Sequence, residues 1–205
     1  MFLHYSYSDL YRKQVVKQAD LVLAMQLRPD LFTPDQTVRN FDYYERITVR
    51  DSSLSACTQA VLAAQTGLLD LAYAYVAESS LVDLDDLEHN TKDGLHMAAL
   101  AGSWIALVSG LGGLETNESR LSFHPRLPDN LHQLRFRVLY RGRRLLVRID
   151  HGEAGYQLVE GADLTVWHYE EEVPLKDSEE VVKTIAPPPR RTAPVPPKGR
   201  EPRAR

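Results

Sequence analysis

The hydrophobic positions of the chain change their period once, near Leu114. Before this point apolar residues recur every three or four positions, as in "DLYRKQVVKQADLVLAM", and this spacing is typical of one face of an α-helix. After it apolar and polar residues alternate, as in "HQLRFRVLYRG", which is typical of β-strands. Helices followed by strands predict two separate units, a mainly α unit and a small β domain.

The first predicted unit, residues 1–113, consists of helices joined by short connections. Thr33 can cap one helix and Pro34 can occupy its first position. The last helix is predicted from Lys92 to Gly113, "KDGLHMAALAGSWIALVSGLGG". Short connections between helices indicate antiparallel neighbours.

The second predicted unit, residues 114–175, contains several short alternating stretches. Turn signals such as Arg141–Gly142 and Glu160–Gly161 separate them, which predicts a small antiparallel sheet or sandwich. In one stretch the residues expected to share a face are Leu134, Phe136, Val138 and Tyr140.

The third segment, residues 176–205, is rich in proline, "APPPRRTAPVPPKGREPRAR". Proline disfavours helix and sheet, and little apolar surface remains to be buried, so we predict a disordered tail. A proline-rich ligand is an alternative, but a solvated extension is the simpler interpretation.

Composition narrows the classes of partner. The 205 residues carry a net charge of −4, which gives no reason to expect nucleic acid. The single cysteine, Cys57, excludes an intrachain disulfide and suits a reducing cytoplasm.

Polar residues interrupt the apolar run from Leu95 to Leu114, so we predict a core helix and no membrane partner. The first residues lack the basic start and apolar run of a signal peptide.

Two predicted helix starts carry residues suited to an anion. In "VRDSSLS", Ser52 and Ser53 are either simple caps or the hydroxyls of a phosphate cradle. In "TKDGLH", Gly94 allows close approach of a ligand and His96 can donate to an oxyanion, although a lone histidine is more often a core residue. Two such starts in one unit favour an anion site.

A third candidate pair, Lys17 and Gln18, is predicted to lie on a helix between apolar residues. Together these side chains offer many hydrogen bonds of the kind that sugar hydroxyls require. On pattern alone, a solvated helix face is the favoured explanation of these two residues. The sequence has no Cys/His spacing for a metal and no glycine-rich nucleotide loop, so no metal or cofactor is expected.

Four long stretches, in the right order, resemble one known family. They are "LYRKQVVKQADLVLAM", "NFDYYERITVRDSSLSACTQAV", "NTKDGLHMAALAGSWIALVSGLGG" and "LSFHPRLPDNLHQLRFRVLYRGRRLLVRI". Together they resemble the C-terminal part of glycoside hydrolase family 65, which includes the maltose, trehalose and kojibiose phosphorylases. The resemblance implies the last helices of an (α/α)6 barrel, followed by a C-terminal antiparallel β domain.

The resemblance also implies a chemistry and site roles. A glutamic acid protonates the glycosidic oxygen of an α-linked glucose disaccharide, while inorganic phosphate, the co-substrate, attacks the anomeric carbon from the opposite face. Lys17 and Gln18 match the pair that holds the glucosyl unit. The phosphate-binding positions match Ser52, Ser53, Gly94 and His96. The general acid is expected upstream of this chain, so none of its residues is assigned a catalytic role.

Three functional hypotheses follow. The first is a C-terminal portion of an inverting phosphorylase in carbohydrate metabolism, inactive as an isolated chain. The second is a non-catalytic module that binds sugar or phosphate, or pairs with a separate N-terminal portion of the same enzyme. The third is part of a family 65 hydrolase. The resemblance also implies a possible homodimer, and the single cysteine makes a cytoplasmic location the natural expectation.

Overall fold

The computed structural model describes residues 5–117, 119–176, 178–188 and 191–203. The chain divides into two compact units. One comprises residues up to Leu107 together with residues from 191 onward, and the other begins at Val108. The change of period at Leu114 coincides with the first residue of the first strand.

The helical unit contains six α-helices within the described residues. A π-helical segment, Ala106–Leu111, follows the last of them, and its residues from Val108 onward belong to the other unit. Short 3-10 turns lie at Pro29–Leu31 and Thr91–Asp93. The helices are α1 (Tyr7–Leu10), α2 (Asp20–Leu27), α3 (Pro34–Ile47), α4 (Ser55–Gln65), α5 (Leu69–Leu81) and α6 (Met97–Ile105).

The start of α3 confirms the predicted cap. The Thr33 hydroxyl accepts a hydrogen bond from the Gln36 backbone N–H at 3.2 Å, and the Gln36 side chain accepts from the Thr33 N–H at 2.8 Å. This reciprocal pair satisfies two N–H groups that the helix leaves unpaired. Pro34 follows at the first helical position, where its missing N–H has no cost.

The prediction that Lys17 and Gln18 lie on a helix is wrong. Both precede α2 in an irregular segment, although the apolar spacing around them suits a helix. Backbone pairing explains the difference, because the Val16 N–H donates to the Ile47 carbonyl and the Val49 N–H donates to the Val16 carbonyl. This pairing with the residues that follow α3 replaces the local helical bonds.

Helix α4 is the centre of the helical unit. Most of its residues are buried, many of them alanine, and it packs against α2, α3, α5 and α6. Its many small side chains allow neighbouring helices to approach closely. Within the described residues, no helix is both long and apolar enough to cross a membrane.

The β unit has two four-stranded sheets within the described residues, in the orders β1-β2-β6-β7 and β3-β4-β5-β8. Both contribute to one apolar core, so the unit is a sandwich. The strands are β1 (Leu114–Thr116), β2 (Leu121–Phe123), β3 (Leu134–Tyr140), β4 (Arg143–Ile149), β5 (Glu153–Glu160), β6 (Leu164–His168), β7 (Glu171–Leu175) and β8 (Glu180–Thr184).

The β3–β4 hairpin confirms both the alternation and the predicted turn. Phe136 is buried while Arg135 and Arg137 are exposed. Arg141 and Gly142 both have positive φ, 48° and 74°, in the two-residue loop between Tyr140 and Arg143. Such a loop matches the twist of the flanking strands.

The expectation of a wholly antiparallel sheet is wrong at one pair, because β2 and β6 are parallel. Parallel strands require a long connection. Here the connection from β2 to β6 contains the strands β3, β4 and β5 of the other sheet, so the chain crosses between layers before it returns.

The predicted disorder of residues 176–205 is wrong for Glu180–Thr184. These residues form β8, which pairs antiparallel with β5. The open edge of β5 supplies backbone partners, which a sequence poor in apolar residues can still use. Residues 191–203 have no helix or strand, but arginine side chains hold them against the helical unit.

Candidate functional site

Two neighbouring pockets lie in the helical unit. The first, here called the serine–histidine pocket, has a volume of about 410 Å³ and is lined by Ser52, Ser53 and His96 together with Asp51 and Glu88. The two predicted helix starts therefore meet at one cavity. The second, here called the apolar pocket, has a volume of about 330 Å³.

The serines precede α4 rather than lying within it. The Ser52 carbonyl accepts from the Ser55 N–H at 3.2 Å, and the Ser52 hydroxyl accepts from the Leu54 N–H at 3.4 Å. Arg50, two residues earlier, has a positive φ of 55°. The chain therefore turns sharply before the helix, which places two half-buried hydroxyls beside its first N–H groups.

His96 occupies the cap position before α6, and a single carboxylate holds it in two places. Its Nδ1 atom lies 2.6 Å from Oδ1 of Asp83, and its backbone N–H donates to Oδ2 of Asp83 at 2.8 Å. The Asp83 side chain is only 7% exposed. With Nδ1 engaged, Nε2 is the ring nitrogen left to meet a ligand in the pocket.

Asp83 is a residue that the sequence reasoning missed. The acidic stretch around it resembles a solvated loop, and the motif containing His96 lies 13 positions further on. A general rule about histidine could have pointed to Asp83. A histidine proposed to bind a ligand through one nitrogen needs an acceptor for the other.

Gly94 shapes the approach to His96. It has φ +135° and ψ 173°, a conformation that is essentially limited to glycine, and it follows the 3-10 turn Thr91–Asp93. The described lining of the serine–histidine pocket does not include Gly94. Direct contact of Gly94 with phosphate therefore stays a prediction, while its backbone conformation is a separate reason for glycine at this position.

The apolar pocket contains one residue of the predicted sugar-binding pair. Gln18 lies in its lining with Leu23, Cys57 and Gly102, and the described lining does not include Lys17. Leu54 and Ala98 line both pockets, so the two cavities share a wall. The structure thus brings Gln18 near the serines and histidine, and leaves Lys17 exposed outside this lining.

Carboxylates in the serine–histidine pocket pair with arginines from the end of the chain. Nη1 of Arg200 lies 2.5 Å from Oδ1 of Asp51, and Nη1 of Arg203 lies 3.2 Å from Oε1 of Glu88. Neither contact was expected from the sequence, because the tail was predicted to be disordered. The arginine-rich composition of the tail was the available signal.

Both units match models of one family. Residues 1–105 match the glycosyl hydrolase family 65 central catalytic domain, and residues 114–175 match the family 65 C-terminal domain. The chain is 52% identical over its whole length to an uncharacterised glycosyl hydrolase of Mycobacterium leprae, covering 26% of that protein. It is 39% identical to the α,α-trehalose phosphorylase of Thermoanaerobacter brockii, covering 87% of this chain and 23% of that one.

A solved structure agrees with these family matches. A protein described as a kojibiose phosphorylase from the human microbiome superposes with a TM-score of 0.83 at 28% identity, over 90% of this chain and 27% of that one. The chain thus spans about a quarter of the length of the relatives that it matches. On the two domain models and these relatives, the chain belongs to glycoside hydrolase family 65.

Proposed function

We propose that this chain supplies the phosphate site and part of the glucosyl subsite of an inverting α-glucoside phosphorylase. The observation that carries the proposal is the convergence of Ser52, Ser53 and His96 on one cavity. The relatives named as trehalose, maltose and kojibiose phosphorylases support the reaction class.

Phosphate suits the donors of the serine–histidine pocket. The two hydroxyls can donate to phosphate oxygens, and the N–H groups at the starts of α4 and α6 add positive dipole ends. When the His96 ring carries its second proton, Nε2–H donates to the anion while the Asp83 carboxylate offsets the charge. The Ser52 hydroxyl and the His96 ring are held by backbone and carboxylate contacts before the ligand arrives.

The apolar pocket suits the glucosyl ring. A sugar presents C–H faces to apolar walls and hydroxyls to the rim, where Gln18 can both donate and accept. Because the pockets share the wall formed by Leu54 and Ala98, phosphate bound in one lies beside a sugar bound in the other. This adjacency is what a direct attack on the anomeric carbon requires.

In the proposed reaction, a phosphate oxygen forms a bond to the anomeric carbon as the bond to the leaving sugar breaks. A carboxylic acid outside these 205 residues gives its proton to the leaving oxygen, and the configuration inverts to β-glucose 1-phosphate. An inverting hydrolase would need a carboxylate base for water. Asp51 and Glu88 line the pocket, but arginines engage both, which favours phosphate as the nucleophile.

Calorimetric titration of inorganic phosphate into the full chain tests the site. We expect saturable binding that S52A/S53A and H96Q each weaken by about tenfold or more, because each removes a donor to a charged group. H89N, at an exposed histidine with φ 55°, serves as the matched control and leaves binding unchanged. Wild-type chain that binds no phosphate would contradict the proposal.

Joining the chain to the upstream remainder of a family phosphorylase tests the reaction. We expect phosphate-dependent release of glucose 1-phosphate from a disaccharide. Release of free glucose without phosphate would support the hydrolase instead. Phosphate binding without turnover in the joined protein would support the non-catalytic module.

A further inference from the structure

Residues 191–203 lie against the helical unit through three arginines. Arg191 donates from Nη2 to Oδ2 of Asp42 at 2.7 Å, and from Nη1 to the Thr66 carbonyl at 3.2 Å. Arg200 and Arg203 make the ion pairs with Asp51 and Glu88 described above. We call residues 191–203 the arginine arm.

Backbone contacts fix the arm next to the serine–histidine pocket. Nη1 of the buried Arg50 donates to the Arg200 carbonyl at 2.5 Å, and the Arg203 N–H donates to Oε2 of Glu78 at 2.8 Å. Arg50 also forms an ion pair with Glu78. One mostly buried ion pair of the helical unit therefore anchors the arm at the two residues whose side chains pair with carboxylates of the pocket lining.

Two carboxylates in the lining of the serine–histidine pocket are unfavourable for a bound anion. Asp51 and Glu88 line the same cavity as the serines and His96. Carboxylates beside a bound phosphate repel it, and like-charge repulsion is strong where water is partly excluded. The Asp51 side chain is 18% exposed, so solvent screens it only in part.

We propose that the arginine arm makes this pocket competent for phosphate, with Arg200 and Arg203 compensating the charges of Asp51 and Glu88. The inference rests on the proposed phosphate site. Arg200 and Arg203 act through the two carboxylates and are positioning residues rather than ligands of the anion. Arg191, whose contacts lie on Asp42 and Thr66, only docks the arm.

Phosphate titrations of full-chain variants at low ionic strength test this role. We expect R200Q to weaken phosphate binding about tenfold, because it removes the cation that pairs with Asp51 beside the pocket. R200K keeps a cation and retains most of the affinity. The double variant R200Q/D51N removes both charges and restores binding. The control R191Q removes an arm contact away from the pocket lining and changes affinity less than twofold.

The more exposed pair provides a second test if R200Q fails to fold. The Arg203 side chain is 41% exposed, so R203Q and R203Q/E88Q are compatible with folding. We expect R203Q to lose phosphate affinity and R203Q/E88Q to recover it, both by less than at Arg200, because solvent screens an exposed ion pair. Melting temperatures of all variants show that they are folded.

Phosphate affinities of these variants distinguish the role of the arm from the existence of the phosphate site. Binding by R200Q and R203Q equal to wild type, with S52A/S53A still weakened, overturns the charge compensation alone. A double variant R200Q/D51N that stays weak also overturns it, because Arg200 would then contact phosphate directly. Equal losses in R191Q and R200Q overturn it in favour of simple docking. No phosphate binding by the wild-type chain removes both the site and the role of the arm.

Discussion

Asp83 holds His96 at two atoms, because its carboxylate receives the backbone N–H at 2.8 Å and lies 2.6 Å from Nδ1 of the ring. A carboxylate that bonds both the backbone and the side chain of one residue fixes the ring relative to the start of α6. The imidazole then loses little conformational freedom when it meets an anion.

Replacing this carboxylate should loosen the ring without removing it. We expect D83N to weaken phosphate binding about three- to tenfold, less than H96Q, because the amide keeps one acceptor and loses the charge. The mostly buried contact also stabilises the fold, so we expect the free energy of unfolding to fall by about 1–3 kcal/mol. Phosphate titration and urea unfolding measure the two effects.

D93N is the control for charge alone. Asp93 is exposed near His96 in the sequence, so its replacement removes one negative charge while the Asp83 contacts remain. If D83N and D93N alter phosphate binding equally, Asp83 does not orient the ring.

Two glycines of the β unit make a matched pair. Gly113 and Gly142 have similar positive φ, 61° and 74°, but a Cβ at Gly113 would lie 2.1 Å from the His124 carbonyl oxygen, whereas a Cβ at Gly142 would meet no described atom within 4 Å. We expect G142A to cost about 1 kcal/mol from backbone strain. G113A should cost on the order of 3–4 kcal/mol, because backbone must also move.

Tryptophan fluorescence can follow this unit alone. In a W104F background, Trp167 in β6 reports on the sandwich during urea unfolding. Equal losses for G113A and G142A would mean that the close approach of Gly113 to His124 relaxes at little cost, so that strain at positive φ dominates.

Local patterns predicted the elements whose determinants are local. The alternation around Phe136 and the cap at Thr33 each depend on residues within a few positions, and both are confirmed. Lys17 was misplaced because a distant backbone pairing, between Val16 and residues after α3, outweighed helical spacing. Strand β8 was missed for the same reason, since its partner is the edge of β5.

In the candidate site, too, the residues found from the sequence lie in short motifs, and those that were missed depend on distant partners. Motifs of a few residues pointed to Ser52, Ser53 and His96, and these do line one pocket. The groups that hold or neutralise this site lie further along the chain. Asp83 is 13 positions from His96, and Arg200 is 149 positions from Asp51. Such partners are set by tertiary packing, which no short motif encodes.

Gly102 permits close packing of α6 on α4. A Cβ at this position would lie 2.5 Å from Sγ and 2.7 Å from Cβ of Cys57, so at least one of the two helices would have to shift. We expect G102A to lower the free energy of unfolding by about 1–3 kcal/mol. Because both residues line the apolar pocket, the shift should also change its shape. Urea unfolding followed by far-ultraviolet circular dichroism measures the loss.

A second substitution checks this cause. C57A removes Sγ but keeps Cβ, so the double variant C57A/G102A should recover part of the lost stability. Additive losses in the double variant would mean that the clash with Cys57 is not the reason for glycine at this position.

Buried Glu45 gives the fold a specific pH dependence. Its carboxylate accepts a hydrogen bond from Gln59 Nε2 at 2.6 Å and another from the Tyr75 hydroxyl. Burial raises the pKa of Glu45 above its usual 4.5, and the hydrogen bonds from Tyr75 and Gln59 oppose this shift only in part. The folded state therefore holds the Glu45 proton at pH values where the unfolded chain releases it.

The raised pKa of Glu45 makes the contribution of this residue to folding stability decrease as the pH rises. Stability from a raised carboxyl pKa is fully present below about pH 4.5 and is lost as pH rises through the folded-state pKa. Relative to E45Q, the wild-type chain should lose stability across that window. The Gln59 Oε1 atom has no hydrogen-bond partner among the described residues, so a flipped Gln59 amide can accept from the new glutamine.

Urea unfolding of wild type and E45Q from pH 4 to 8 measures this difference. The exposed E172Q is the control for loss of one carboxylate, and its difference from wild type should vary little over the range. We expect the difference between E45Q and wild type to change in favour of E45Q as pH rises. A difference that stays constant, or that favours wild type at high pH, would show that the ionised carboxylate of Glu45 is accommodated in the core as well as the neutral acid.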